Sequence, residues 1–300
     1  MKRSGYRLII LTIAFGIINY GCSAQKVIPL YLGDVPNHII TNTIDKSNID
    51  KSVFYRVTQP TLTLYLGNKT SAPRTAVIIC AGGGYGELNI KREGYIIAEA
   101  FNKNGFAAFV LKYRLPVDIT NKDKSTAPLQ DAQQAIKIVR DSAEKWNIDP
   151  NKIGIMGFSA GGHLAATLGS HYDDLLIEND SKISLRPDFM LLIYPVISFR
   201  RHFGHIGSRN NLLGKSPSKK SIDYFSNELH VNKLTPPTFL VHAGDDKIVK
   251  VTNSIKFYEE LQKNDVTSEL HIYAKGGHGF GIMPTFDEWF GRCILWLNNM

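Results

Sequence analysis

The chain has 300 residues, 43% of them hydrophobic and 21% charged, with a formal net charge of +8. This balance excludes a disordered chain or a fibrous repeat, both of which depart strongly from globular averages. The basic excess comes with neither zinc-ligand spacing nor an aromatic-basic RNA motif, so it reads as a modestly basic surface and not as a nucleic-acid interface.

The opening segment has the layout of an export signal: Met1-Lys2-Arg3, an apolar run from Leu8 to Ile18, then the small residues Gly21-Cys22-Ser23-Ala24. The run is shorter than the roughly 20 residues that span a bilayer. Residues 1–24 are therefore expected to be removed on export to the periplasm or beyond, with no membrane span afterwards. Lipidation of Cys22 is the alternative route. Of the other cysteines, Cys80 ends a core strand and Cys293 lies in an apolar helical run. Both are expected to be buried thiols, too few for a metal site.

Residues 25–70 are strand-rich, above all Val53 to Leu66, and close at Gly67-Asn68. From Thr75 strand and helix patterns alternate. Thr75 to Cys80 is a continuous apolar run suited to a strand covered on both faces. After a glycine-rich turn, Ile96, Ile97, Ala100 and Phe101 recur at helical spacing up to about Asn104, and Gly105 is placed to stop the helix. Phe106 to Leu111 is the next strand. Pro128 opens a helix whose apolar face carries Ala132, Ile136, Val139, Ala143 and Trp146. Asp149-Pro150 turns the chain into the strand Ile153 to Phe158, and a helix runs from Ala160 to about His171. Further strands are expected at Asp188 to Tyr194, Thr238 to His242 and Glu269 to Tyr273, with helices at Val251 to Asn264 and Thr285 to Asn298. Alternation of this kind predicts one α/β domain over 25–300, a mainly parallel sheet with helices on both faces and an antiparallel edge from the leading strands. Residues 199–237 break the rhythm and read as an inserted cap or substrate loop.

The chemistry concentrates at turns. Gly157-Phe158-Ser159-Ala160-Gly161-Gly162 follows a strand and opens a helix, as a nucleophile elbow requires, with small neighbours on both sides of a sharp turn. Ala81-Gly82-Gly83-Gly84-Tyr85 follows the strand ending at Cys80; the N–H groups of Gly83 and Gly84, with that of Ala160, would form an oxyanion hole. The glycine run lacks the Lys-Ser/Thr ending of a phosphate loop. Asp246 follows the strand ending at His242 and is chosen as the orienting carboxylate, with Asp245 as the alternative. His278, flanked by glycines in Gly276-Gly277-His278-Gly279-Phe280, is the base. His163, one turn past Ser159, is expected to serve packing or to support the site from behind. The order Ser159, Asp246, His278 suits acyl transfer through an acyl-enzyme, which asks for no metal or organic cofactor.

These stretches, together with Val110-Leu111-Lys112-Tyr113-Arg114-Leu115-Pro116 and Pro236-Pro237-Thr238-Phe239-Leu240-Val241-His242, resemble the acetylxylan esterase-like branch of the α/β hydrolases from about Thr58 onward. The resemblance implies the α/β-hydrolase fold, an exported carbohydrate esterase and an acetylated plant polysaccharide as substrate. Two positions depart from the pattern: Cys80-Ala81 stands where many relatives have Pro before the glycines, and Lys250 stands where relatives have Pro after Val249. Neither touches a catalytic role. A prolyl-oligopeptidase-like peptidase is the nearest competing enzyme, but about fifty leading residues cannot build the β-domain such relatives carry. A long-chain lipase wants an apolar lid, whereas 199–237 contains Arg200, Arg201, Arg209, Lys215, Lys219 and Lys220. A binding module that kept the fold would be marked by lost triad members, and all three are present.

Overall fold

The computed structural model describes residues 25–67 and 70–300. The segment read as an export signal, Cys22 included, lies outside the described residues. In chain order the strands are β1 (Lys26–Pro29), β2 (Lys46–Ser47), β3 (Phe54–Arg56), β4 (Thr61–Tyr65), β5 (Arg74–Cys80), β6 (Ala107–Lys112), β7 (Ile148–Phe158), β8 (Met190–Ile193), β9 (Thr238–Ala243) and β10 (Ser268–Tyr273). The helices are α1 (Ile96–Lys103), α2 (Ala127–Asp141), α3 (Ala143–Trp146), α4 (Ala160–Ser170), α5 (Ile206–Leu213), α6 (Lys219–Tyr224), α7 (Thr252–Lys263) and α8 (Phe286–Asn298). A π-turn, Lys91–Tyr95, leads into α1.

Eight strands form one sheet in the order β1-β4-β6-β5-β7-β8-β9-β10. Every pairing from β6 to β10 is parallel, while β4 joins β6 and β1 joins β4 antiparallel. This is the α/β-hydrolase arrangement, with the antiparallel edge supplied by the leading strands. Only part of the strand-rich segment reaches it, because β3 pairs with β2 in a separate two-stranded ribbon.

Successive residues on a strand face opposite sides of the sheet. An added Cβ on Gly157 would strike the Gly161 backbone on α4, while the neighbouring Phe158 ring meets Trp289 of α8 at 6.1 Å. Helices therefore cover both faces. On the α8 side Phe101 of α1 meets Phe290 at 4.9 Å, and on the other side α2 packs against α4. Residues Val77 to Cys80, Phe109 to Leu111 and Ile155 to Met156 are fully buried, which is why these strands read as unbroken apolar runs.

Some details differ from expectation, among them the single helix read through Trp146, which breaks at Ser142 into α2 and α3. The Asp149-Pro150 turn lies inside β7 and not before it: Arg74 pairs with Ile148, the ladder resumes at Ala76 and Ile153, and the residues between bulge outward. Ile96 belongs to the periodic face of α1 yet is half exposed. Residues 199–237, read as an inserted cap or substrate loop, hold α5, α6 and a 3-10 turn at Asn227–Leu229. Each of the two helices is started by a side chain accepting a backbone N–H, His205 from Ser208 and Ser218 from Ser221. Arg200, Arg201, Lys215, Lys219 and Lys220 are exposed on this insert. Cys80 and Cys293 are both buried free thiols. No helix among the described residues is long and apolar enough to cross a membrane.

The ion pair between Arg114 and Asp131 is wholly enclosed. Arg114, just after β6, bonds Asp131 of α2 through Nη2 (2.7 Å) and Nε (3.0 Å), and its own N–H reaches Asp131 Oδ2 at 2.7 Å. Tyr31 donates to Asp131 at 3.0 Å, and Arg114 Nη1 donates to the Pro36 carbonyl at 2.6 Å. Leading segment, sheet and helix thus meet on one carboxylate. Removing one partner of such a pair leaves an uncompensated buried charge. Asp131→Ala is expected to cost about 3–5 kcal/mol, read as a fall in Tm on the order of 10 °C. Lys219→Ala, which breaks an exposed pair with Asp223, should change stability by less than about 1 kcal/mol. Equal melting of the two variants would contradict this assignment.

Candidate active site

The parallel strands end at one edge of the sheet, and each ending delivers a group to one place. After β7, Ser159 takes φ 50° and ψ −116°, a left-handed conformation that costs a non-glycine residue about 1–3 kcal/mol. Contacts on every side hold it there. The Ser159 N–H donates to the Ile193 carbonyl (3.0 Å), and its carbonyl accepts from His163 (3.1 Å) and Val196 (2.9 Å). The turn closes only with glycine on both sides: an added Cβ would lie 2.1 Å from the Gly161 oxygen at Gly157 and 2.2 Å from the Cys80 oxygen at Gly161.

Beyond β10, His278 Nε2 lies 2.9 Å from Ser159 Oγ, and its Nδ1 lies 2.7 Å from Asp246 Oδ2. Since a carboxylate only accepts, Nδ1 carries the proton and Nε2 is left to accept from the serine hydroxyl. Asp246 follows β9, and its other oxygen accepts from the N–H groups of Ile248 and Val249, both at 2.9 Å. Burial alone would raise this carboxyl, but hydrogen bonds from His242 and His278 and the Val249 N–H hold it well below the usual carboxylate range. Asp245 faces the other way. Its Oδ1 accepts from the Gly277 N–H at 2.8 Å and so fastens the loop that carries the histidine. Of the two neighbouring acids, the structure brings Asp246 to His278.

The glycine loop after β5 lies against this turn: a Cβ at Gly82 would come within 2.9 Å of Ser159 Cβ. Gly83 (φ 132°) and Gly84 (φ 63°) take conformations that side chains resist. Among the described residues the N–H groups of Gly83, Gly84 and Ala160 have no hydrogen-bond partner. They are the three donors that the sequence assigned to an oxyanion hole.

His163 does more than pack. Its Nε2 lies 2.8 Å from the Phe225 carbonyl, so that nitrogen donates, and Nδ1 accepts from the Tyr85 hydroxyl at 2.9 Å. Burial lowers its pKa to about 4, which keeps the ring neutral and the acceptor available. Tyr85 directly follows Gly84, so the helix behind the serine grips the glycine loop. From below, Tyr113 donates to the Ala81 carbonyl at 2.8 Å.

Several participants were not singled out from the sequence. His242 donates to the Val249 carbonyl (2.9 Å) and stands 3.3 Å from Asp246 Oδ2, with Ser254 on its other nitrogen at 2.8 Å. It lies four residues before Asp246 in the quoted strand, a spacing that could have singled it out. Tyr194, at φ 36°, meets the His278 ring in a T-shaped contact with centroids 5.1 Å apart. Arg92 donates to the carbonyls of Gly279 and Phe280, and Glu93 bonds the Gly82 N–H and the Tyr194 hydroxyl. Beside these residues is a cavity of about 210 Å³, lined in part by Ile96, Phe280, Phe286 and Trp289. Asn211 of the insert donates to the Gly84 carbonyl at 2.8 Å, which places α5 over the glycine loop. Among the described residues no group of three His, Cys, Asp or Glu side chains is placed to hold a metal ion.

A family model described as BD-FAE matches residues 62–261. The chain is 42% identical over 219 residues to an acetylxylan esterase of Xylanibacter ruminicola, a match covering 72% of this chain and 42% of that protein. It is 37% identical over 234 residues to endo-1,4-beta-xylanase B of Butyrivibrio fibrisolvens, covering 77% of this chain and 36% of that one. The chain therefore spans about two-fifths of the length of these curated relatives. A crystal structure of an acetyl ester-xyloside bifunctional hydrolase from Caldicellulosiruptor lactoaceticus superposes with a TM-score of 0.78 at 37% identity, covering 91% of this chain and 96% of that one.

The two acids separate experimentally. Asp246→Asn should lower kcat about 10⁴-fold, because the amide no longer selects the Nδ1–H tautomer of His278. Asp245→Asn keeps an acceptor for the Gly277 N–H and should lower kcat by roughly tenfold or less. The reverse ranking on a short-chain aryl ester would reassign the carboxylate.

Proposed function

Given that the chain belongs to the BD-FAE family of α/β hydrolases, we propose that it is a serine esterase that removes acetyl groups from plant polysaccharide of the acetylxylan type. The observation that carries this reading is the hydrogen-bonded line from Ser159 through His278 to Asp246, set beside three unpartnered N–H groups. His278 takes the proton of Ser159 as Oγ attacks the ester carbonyl. The oxyanion forms among Gly83, Gly84 and Ala160, where each preorganised donor contributes about 3 kcal/mol. The protonated His278 then hands its proton to the departing sugar oxygen. Acetyl stays on Ser159 until water, activated by the same imidazole, releases acetate. Asp246 remains ionised throughout and stabilises the imidazolium.

The acetyl group and the xylan backbone are supported by the names of the acetylxylan esterase and of the acetyl ester-xyloside hydrolase. Cleavage of the glycosidic bond itself is not part of the proposal. It takes two carboxyl groups facing the sugar, whereas the buried Asp246 and Glu93 both have their oxygens committed to protein donors. The leading segment fits an enzyme that meets such polymers outside the cytoplasm: residues 1–24 are read as its export signal, leaving Gln25 as the first residue of the mature protein.

Acetate release from acetylated xylan, measured beside an aryl acetate and a Ser159→Ala control, tests the reading. Release from both substrates, lost in the variant, is the expected result. Turnover of the aryl acetate alone would keep the esterase and remove the polysaccharide. Activity retained by Ser159→Ala would overturn the mechanism.

A further inference from the structure

Glu93 has an unusual set of contacts for a residue outside the proposed triad. It lies in the π-turn before α1, is 8% exposed, and splits its carboxylate between two partners. Oε2 accepts from the N–H of Gly82, the first glycine of the oxyanion loop, at 2.7 Å. Oε1 accepts from the Tyr194 hydroxyl at 2.9 Å. Tyr194 lays its ring against His278. The next residue back, Arg92, donates to the carbonyls of Gly279 and Phe280, which directly follow His278. The turn that carries both side chains is tight on the sheet: a Cβ at Gly94 would lie 2.8 Å from Val110 of β6. Single π-turns inside helices recur at functional sites, since the wider turn re-aims side chains.

We propose that Glu93 is a positioning residue for the hydrolytic site, one oxygen holding the glycine loop and the other holding, through Tyr194, the ring of His278. The distance between oxyanion donors and base is then set by one rigid, buried group. Burial raises the Glu93 carboxyl above its ordinary value, and the bonds from the Gly82 N–H and the Tyr194 hydroxyl oppose that rise.

The inference rests on the esterase reading above, and its test keeps the two apart. Glu93→Gln preserves shape and both contacts, since the amide oxygen can accept from Gly82 while the amide nitrogen donates to the Tyr194 oxygen. Only the charge is lost. Glu93→Leu removes the link altogether. Both are compared with wild type on an aryl acetate, with active sites counted by stoichiometric fluorophosphonate labelling of Ser159. Glu93→Leu is expected to lower kcat per labelled site by about 10- to 100-fold with KM within about twofold. Glu93→Gln, which keeps both bonds, is expected to lose at least about fivefold less kcat than Glu93→Leu, again with KM within about twofold. Equal losses in the two variants, or wild-type kcat per labelled site in Glu93→Leu, would overturn the proposal and leave Glu93 a packing residue. Should Glu93→Leu not fold, Tyr194→Phe, which cuts only the second bond, decides: a fall in kcat per labelled site of about threefold or more at unchanged KM is expected, and wild-type kcat would overturn the proposal. Failure of the esterase reading looks different: wild type would not label, or Ser159→Ala would retain turnover.

Discussion

Between Phe158 and Ala160 the chain leaves a sheet strand and enters a helix within one residue, and Ser159 takes a left-handed backbone to manage it. That compression is possible only because β7, the start of α4 and the end of β5 come into backbone contact, with glycine at 157 and 161 and no room for a methyl group at either. The rest of the structure is arranged around holding that contact. On one side of β7 the strands β8, β9 and β10 run parallel to it, so their ends supply Tyr194, Asp246 and His278 to the same edge. The glycine loop after β5 cannot drift from the serine, since the same contact that permits the turn also seats the loop.

Around this centre the polar groups form a closed accounting. Asp246 receives His278 and two backbone N–H groups, Asp245 receives the loop behind His278, and a neutral His163 joins the glycine loop to α4. Farther out, Arg114 and Asp131 fix the segment whose Tyr113 supports Ala81. Buried polar networks raise the cost of any departure from one geometry, because each broken bond leaves an unsatisfied group in a low-dielectric interior. Among the described residues the N–H groups of Gly83, Gly84 and Ala160 stand outside this network, as the proposed oxyanion hole requires.

How much of this could be read from the sequence depended on whether the signal was local. Continuous apolar runs marked the buried strands, and glycines bracketing Ser159 and His278 marked turns where a side chain can project, so those positions were legible. The Asp245-Asp246 pair was not resolvable, since which carboxylate faces the histidine follows from the backbone of one turn. Glu93 and Tyr194 gave no signal because their roles exist only through contacts 101 residues apart in the chain. The helices of the insert gave no signal for another reason: α5 and α6 are short and begun by single capping side chains, so no apolar periodicity announced them.

The insert is rooted at two points in the helix behind Ser159. Phe199 stacks on His163 at 4.1 Å, and the Phe225 carbonyl accepts a hydrogen bond from that histidine's Nε2–H. A segment stitched down in this way is a fixed rim, not a hinged door, and its outward surface is free to vary while its two stitches are not. Exchanging the rim between relatives is therefore a modular operation with a strict border: a transplanted segment must bring an aromatic ring at one stitch and a carbonyl at the other, or it will loosen the machinery it was meant only to decorate.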